Sequence, residues 1–230
     1  MTPLVFIPGL LCTAELFMPQ VAALWPYGPV TIASTLEGET IAQMATAILA
    51  QAPPEFALIG LSMGGMISLE IMRQAPGRVR KLALLSTSAQ PAPPEQTTLF
   101  QAMLTQAHLG DAAAVISAGL DAVLHPSHQQ DPALRALNQR MAAALSVDAF
   151  ARQAEAVRTR VDSRPSLAAI TVPTLVLVGE QDQLTPPALA REMAAAIPQA
   201  RLVIVPECGH ASTLEQPQAI NQALQEWLRG

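Results

Sequence analysis

The run Phe56-Ala-Leu-Ile-Gly60-Leu-Ser62-Met-Gly64-Gly65-Met-Ile-Ser-Leu-Glu70 leaves this chain few folds to choose from. Phe56 to Leu61 is apolar and long enough for a buried strand. Met63 to Met72 carries apolar residues at helical spacing. Between them, Gly60-Leu61-Ser62-Met63-Gly64 is a G-x-S-x-G pattern in a strand–turn–helix setting. A serine in so tight a turn takes strained backbone geometry. Without Cβ atoms at Gly60 and Gly64, strand and helix can approach closely. The turn lifts the Ser62 hydroxyl above the sheet edge. The first amides of the helix point at the same place, where negative charge is favoured. The pattern also occurs by chance at ordinary strand–helix corners, so the serine needs a base and the base an acid before it means chemistry.

The rest of the chain alternates short apolar runs with helical ones. Strands are expected at Leu4–Ile7, Val30–Ala33, Phe56–Leu61, Lys81–Ser86, Thr174–Val178 and Leu202–Val205. Helices are expected at Phe17–Trp25, at Ile41–Gln51 with Thr40 as cap, at Met63–Gln74, up to about Ala196, and from the His210 loop to Leu228. Such alternation implies a parallel sheet covered on both faces, with ligands at the carboxyl ends of the strands. One stretch departs from it. Residues 89–164 open on Pro91-Ala-Pro93-Pro94 and show no strong strand signal. They carry helical runs at about Gln96–Ala107, Ala112–Val123, Pro132–Leu145 and Val147–Val161, with Asp111 and Asp131 as helix caps. The expected organisation is a core of residues 1–88 and 165–230 with an all-helical insertion at 89–164.

Composition narrows the class. The 230 residues suffice for one α/β domain, and 50% are apolar. Aromatics are only 3%, so Ala, Leu and Val must fill most of the core. A net charge of −5 argues against a nucleic-acid partner. Two cysteines, Cys12 and Cys208, do not make a disulfide framework and are expected as free thiols. The N-terminus lacks a basic region and its apolar run is broken at Pro8, so it is expected to be a strand rather than a signal peptide. No run reaches transmembrane length. The expectation is a cytoplasmic protein, monomeric or a small homo-oligomer, with no membrane partner.

Of four histidines, His108, His125 and His128 fall in the helical stretch and read as solvated surface. His210 sits in a Gly-containing loop after the last strand, at the edge that carries Ser62. Asp162, Glu37 and Asp182 are the candidate acids. Asp182 follows the strand that ends at Gly179, one strand before His210. The chain order is then serine, acid, histidine. Two backbone amides are the expected oxyanion donors. Met63 follows the serine at a helix start, and Leu10 lies in the loop after the first strand, where Gly9 lets the backbone turn inward. Leu11 is the substitute for Leu10.

On these residues the chain resembles the α/β-hydrolase superfamily over almost its whole length. The matching motifs are Pro8-Gly9-Leu10, Gly60-Leu-Ser62-Met-Gly64-Gly65, Val178-Gly179-Glu-Gln-Asp182 and Cys208-Gly209-His210, with Glu215-Gln-Pro217 beyond. Many members have His-Gly at the place of Pro8-Gly9. The chain begins at the family's third strand, so a compact six-stranded sheet is expected. Ser62 excludes the dehalogenase-like and epoxide-hydrolase-like members, which carry an aspartate nucleophile. Within the superfamily it is similar to small capped carboxylesterases, enol-lactonases and the pimeloyl-ester esterase group, whose cap the insertion matches in position. The resemblance implies a serine esterase in which Ser62 attacks, His210 moves the proton and Asp182 orients the imidazole, with no metal and no cofactor. The substrate implied is a small, mainly aliphatic ester or lactone. A carboxylate on it would rest on Arg152, Arg158, Arg160 and Arg164. The same residues serve carbon–carbon bond hydrolysis, acyl transfer and perhydrolysis, and a binding protein on this fold is the rival of another class.

Overall fold

Alternation within the apolar runs divides the core into two layers. In strand β1 (Leu4–Ile7), Leu4 and Phe6 pack into one hydrophobic cluster, Val5 and Ile7 into the other. Strand β3 (Phe56–Leu61) splits the same way, with Phe56 and Leu58 against Ala57, Ile59 and Leu61. Every residue of both strands is buried. A strand covered on both faces gives up no side to water, which is why these runs are apolar throughout.

The structure is a computed structural model that describes residues 1–111, 119 and 121–230. The remaining strands are β2 (Val30–Ile32), β4 (Val79–Leu85), β5 (Thr174–Gly179) and β6 (Ala200–Val205). Among the described residues, all six form one parallel sheet in the order β2-β1-β3-β4-β5-β6. The strand order reverses between β1 and β3, because the chain first steps outward to β2 and then back across. Open α/β sheets bind their ligands at such a switch point.

Helices α1 (Met18–Leu24), α2 (Ile41–Gln51) and α3 (Met63–Gln74) alternate with the first strands. The limits of α2 and α3 are those expected, and the Thr40 hydroxyl caps α2 by accepting the Gln43 amide at 3.1 Å. Two expected helices are instead divided. Phe17 ends a 3-10 turn, Ala14–Phe17, before α1 begins, and Pro19 in the first turn of α1 has no amide with which to continue the preceding turn. The C-terminal run is a short helix, Ser212–Glu215, followed by α8 (Pro217–Arg229), where Pro217 restarts the helix at its first position.

Between β4 and β5 stand α4 (Pro94–Gln106), α5 (Pro132–Ala143) and α6 (Val147–Arg158). They correspond to three of the four expected runs. The fourth, Ala112–Val123, lies mostly outside the described residues, as does the side chain of Asp111. Asp131 caps α5, its carboxylate accepting from Ala133 and Leu134 at 2.8 and 3.1 Å. Helix α7 (Pro187–Ala196) then covers β5 and β6. No described helix is long and apolar enough to cross a membrane.

Candidate active site

The strand register brings four loops to one edge. Ile7 pairs with Gly60, Leu61 with Leu85, and Gly179 with Val205. The segments that follow these strands carry Leu10, Ser62, Asp182 and His210.

Ser62 adopts φ 57° and ψ −117°, a region that costs about 1–3 kcal/mol for a side-chain-bearing residue. Its surroundings hold it there. The Ser62 amide donates to Leu85 O at 2.9 Å. Its carbonyl accepts from the Thr87 hydroxyl at 2.6 Å and from the amides of Gly65 and Met66 at 2.9 and 3.2 Å. Close approach does the rest. A Cβ on Gly64 would stand 2.0 Å from Ile7 O, and one on Gly60 would stand 2.3 Å from Gly64 O. Only hydrogen fits at either place. The loop after β1 lies alongside, since a Cβ on Gly9 would touch the Ser62 Cβ at 3.4 Å.

Asp182 and His210 are joined directly. His210 Nδ1 lies 2.9 and 3.0 Å from the two carboxylate oxygens, with Asp182 3% exposed and His210 7%. Asp182 also accepts from the amides of Leu184 and Thr185 at 3.0 and 2.8 Å and from the Thr185 hydroxyl at 2.8 Å. Burial alone would raise the Asp182 pKa. The charge of His210, with the hydrogen bonds from His210 and Thr185, outweighs it and holds the carboxyl below its usual range. An ionised acid that faces Nδ1 leaves Nε2 as the nitrogen available to a nucleophile. Among the described residues no hydrogen bond joins Ser62 Oγ to His210.

The His210 loop is anchored from several sides. The His210 and Ala211 amides both donate to Val123 O, at 2.8 and 3.3 Å. Glu215, its side chain fully enclosed, accepts from Gly209 N at 3.1 Å, from His125 N at 2.7 Å and lies 2.9 Å from His128 Nδ1. His128 is therefore not the solvated surface residue expected of it. It is 75% covered by the fold and faces the one carboxylate that also holds the histidine loop. His108 is exposed as expected.

The other candidates separate. Asp162 is spent on Arg164, which also approaches Glu192. Arg158 pairs with Glu155. Arg160 gives its donors to the carbonyls of Gln90, Pro91 and Val157 and to Gln96. Three of the four arginines considered as partners for a substrate carboxylate are thus already engaged. Cys12 and Cys208 are free thiols, and burial pushes Cys12 up to about 12 and Cys208 further still, so neither is a ready nucleophile. Of the loop amides, Leu11 N donates to Gln153 Oε1 at 3.0 Å, while among the described residues Leu10 N and Met63 N have no protein acceptor. Sequence reasoning missed Thr185, Glu215 and Gln153. Thr185 left a local trace, three residues past an aspartate at the approach to a helix, and Glu215 stood in the Glu215-Gln-Pro217 motif without a role assigned to it. A cavity of about 370 Å³ lies between α2, α3 and residues 159–163; Arg160 lines it, whereas Leu10, Ser62, Asp182 and His210 do not.

A family profile described as alpha/beta hydrolase fold matches residues 37–217. The chain belongs to the α/β-hydrolase family. This hydrolase is 26% identical to the pimeloyl-[acyl-carrier protein] methyl ester esterase of Aromatoleum aromaticum, over 92% of this chain and 94% of that protein. Among solved structures, the enol-lactonase of Burkholderia xenovorans LB400 superposes with a TM-score of 0.90 at 26% identity, covering 100% of this chain and 92% of the other. A thermophilic esterase from Thermogutta terrifontis gives 0.89 at 26% identity, covering 100% and 90%.

Proposed function

We propose that this α/β hydrolase cleaves a small, mainly aliphatic carboxylic ester or lactone through an acyl-serine intermediate, with Ser62 as nucleophile, His210 as base and Asp182 as orienting acid. The observation that carries the reading is the buried Asp182–His210 pair, set on the same sheet edge as a serine held in a strained turn at the switch point. That combination has no packing purpose, and it supplies what a serine needs to become a nucleophile. The similar proteins add a second support, since each is named for cleaving an ester or a lactone or simply as an esterase.

In this mechanism His210 Nε2 takes the Ser62 proton as Oγ attacks the ester carbonyl. The Leu10 and Met63 amides receive the oxyanion, and their lack of protein acceptors suits them to it. His210 returns the proton to the departing alcohol. Water then attacks the acyl-serine by the same path, and the acid leaves. Asp182 stays ionised and offsets the transient imidazolium charge. Helices α4–α6 and their connections, residues 89–164, form the cap of the site over a core of residues 1–88 and 165–230. Two free thiols support a reducing, cytoplasmic setting.

The test is labelling by a fluorophosphonate with peptide mapping, alongside turnover of short p-nitrophenyl esters. Adduct on Ser62 and saturable turnover are expected. Adduct elsewhere, or no turnover, would reject the reading. Carbon–carbon bond hydrolysis, acyl transfer and perhydrolysis use the same residues but have no observation of their own here.

A further inference from the structure

The fully buried side chain of Gln153, on α6, reaches two loops far away in sequence. Its Oε1 accepts the Leu11 amide at 3.0 Å, across 142 residues. Its Nε2 donates to the Thr35 hydroxyl at 3.0 Å and to the Thr35 carbonyl at 3.4 Å. Thr35, in the loop after β2, is itself buried. The amide thus spends its acceptor on the loop after β1 and its donors on the loop after β2.

Leu11 is the residue that needs holding. It sits at φ 58°, in the left-handed region that a side-chain-bearing residue enters only when its surroundings impose it. The Cys12 amide closes the turn onto Gly9 O at 3.2 Å. Within that turn, Leu10 and Leu11 offer two adjacent amides beside Ser62. A shift of one residue would exchange them. Gln153 consumes the Leu11 amide and leaves the Leu10 amide without a protein acceptor. A buried amide side chain gains little over an apolar one of the same shape unless its hydrogen bonds fix something.

We propose that Gln153 is a positioning residue for the oxyanion: by binding the Leu11 amide it fixes the Gly9–Cys12 turn and selects the Leu10 amide as the donor to the substrate's carbonyl oxygen. This rests on the esterase reading given above. Gln153 touches no reacting atom. It ties oxyanion stabilisation to the docking of α6, so that the helix covering the site also sets its chemistry. Glutamine suits the task because it is neutral and carries acceptor and donor on one planar group. Methionine has similar length, no donor and only a weak acceptor.

The experiment compares the unaltered protein with Gln153→Met and Thr35→Val on a short-chain p-nitrophenyl ester. It also measures inhibition by a trifluoromethyl ketone of the same chain length, whose serine adduct bears an oxyanion. Removing an oxyanion donor costs on the order of 10²–10³-fold, and loosening one should cost less, so kcat for Gln153→Met is expected to fall about 10-fold. KM should hold within about twofold, and ketone binding should weaken by the factor lost from kcat/KM. Thr35→Val, which removes the hydroxyl acceptor of Nε2 at 3.0 Å and leaves only the Thr35 carbonyl at 3.4 Å, should lose about threefold in kcat with KM unchanged. A role in packing alone would lower Tm without moving ketone affinity in step with kcat/KM. Folded Gln153→Met with unaltered kcat, or with its loss confined to KM, overturns the proposal. Should Gln153→Met not fold, Thr35→Val decides: unaltered kcat there overturns the proposal as well. An unaltered protein that fails to turn over any ester overturns the functional reading, and this inference with it. An active one with unaffected variants overturns this inference alone.

Discussion

The Ser62 turn and the His210 loop arrive at the same sheet edge by different means. The serine is held by backbone. Gly64 lies against the Ile7 carbonyl, the Ser62 amide reaches Leu85 O, and the Ser62 carbonyl is gripped by two amides and the Thr87 hydroxyl. The histidine is held by side chains and by the helical stretch between β4 and β5. Asp182 and Thr185 fix its ring, Glu215 fixes the Gly209 amide, and Val123 O receives its own amide. One half therefore tolerates change in neighbouring side chains but no added atom. The other tolerates a little extra space but not a lost polar partner.

Substitutions at each half should expose that difference, beginning with the largest effect. Ser62→Ala is expected to keep the fold, by circular dichroism and Tm, while ester turnover falls on the order of 10⁴-fold or more. Retained turnover would take the nucleophile elsewhere. Asp182→Asn should lose about 10³- to 10⁴-fold in kcat, since the imidazole loses the carboxylate that sets its tautomer. Asp162→Asn, which breaks only an exposed pair with Arg164, should stay within about twofold. Reversal of those two would unseat Asp182.

The next two contrast the halves directly. Gly64→Ala, a single methyl group, should destabilise by more than about 3 kcal/mol or prevent folding, read by urea denaturation. The Cβ would meet backbone that cannot retreat. Glu215→Gln changes no volume, yet it should cost about 1–3 kcal/mol and lower turnover several-fold. Glutamine brings a donor to a point where Gly209 N, His125 N and His128 all need acceptors. If Glu215→Gln proved silent in both readouts, side-chain anchoring of the histidine loop would be wrong. The smallest effect is in pH. Asp182 titrates below its ordinary range in the fold, so its stabilising contribution is complete above that range and is lost as pH falls through the folded value. The Tm gap between the unaltered protein and Asp182→Asn should accordingly be present at neutral pH and narrow as pH falls below the ordinary carboxylate range. A gap that widened on acidification would give the shift the opposite sign.

The same contrast explains what could be read in advance. Backbone anchoring leaves a local mark, because close approach demands glycine. Gly60 and Gly64 around Ser62 stood in the sequence as plainly as they stand in the fold. Parallel pairing followed from apolar runs that alternate with helices, and the extents of α2, α3 and β3 followed from caps and periodicity. Asp182 and His210 were legible by which strand each follows. Side-chain anchoring leaves no such mark. Gln153 meets Leu11 across 142 residues, and Glu215 meets His125 across 90. No periodicity records a hydrogen bond of that reach, so Gln153 passed as part of a helix and His128 as surface. The divided helices were missed for a smaller reason: Pro19 and Pro217 were each compatible with a first turn, and apolar spacing continued across them.

The two amides that end on Val123 O carry a consequence for the order in which the molecule assembles. The Ser62 turn is the more local of the two, built by one strand, the helix after it and the strands alongside. It is complete once β1, β3 and β4 are in register. The His210 loop needs in addition the last strand, the Asp182 loop one strand earlier, and the Val123 carbonyl from the stretch between β4 and β5. Contacts of such separation close late, because chain entropy must be spent before they form. The Ser62 turn is therefore expected to form before His210 reaches it. On the mechanism proposed above, a chain that lacks the last docking step would carry a shaped serine without its base, so turnover on refolding should appear only after the Ser62 turn has formed.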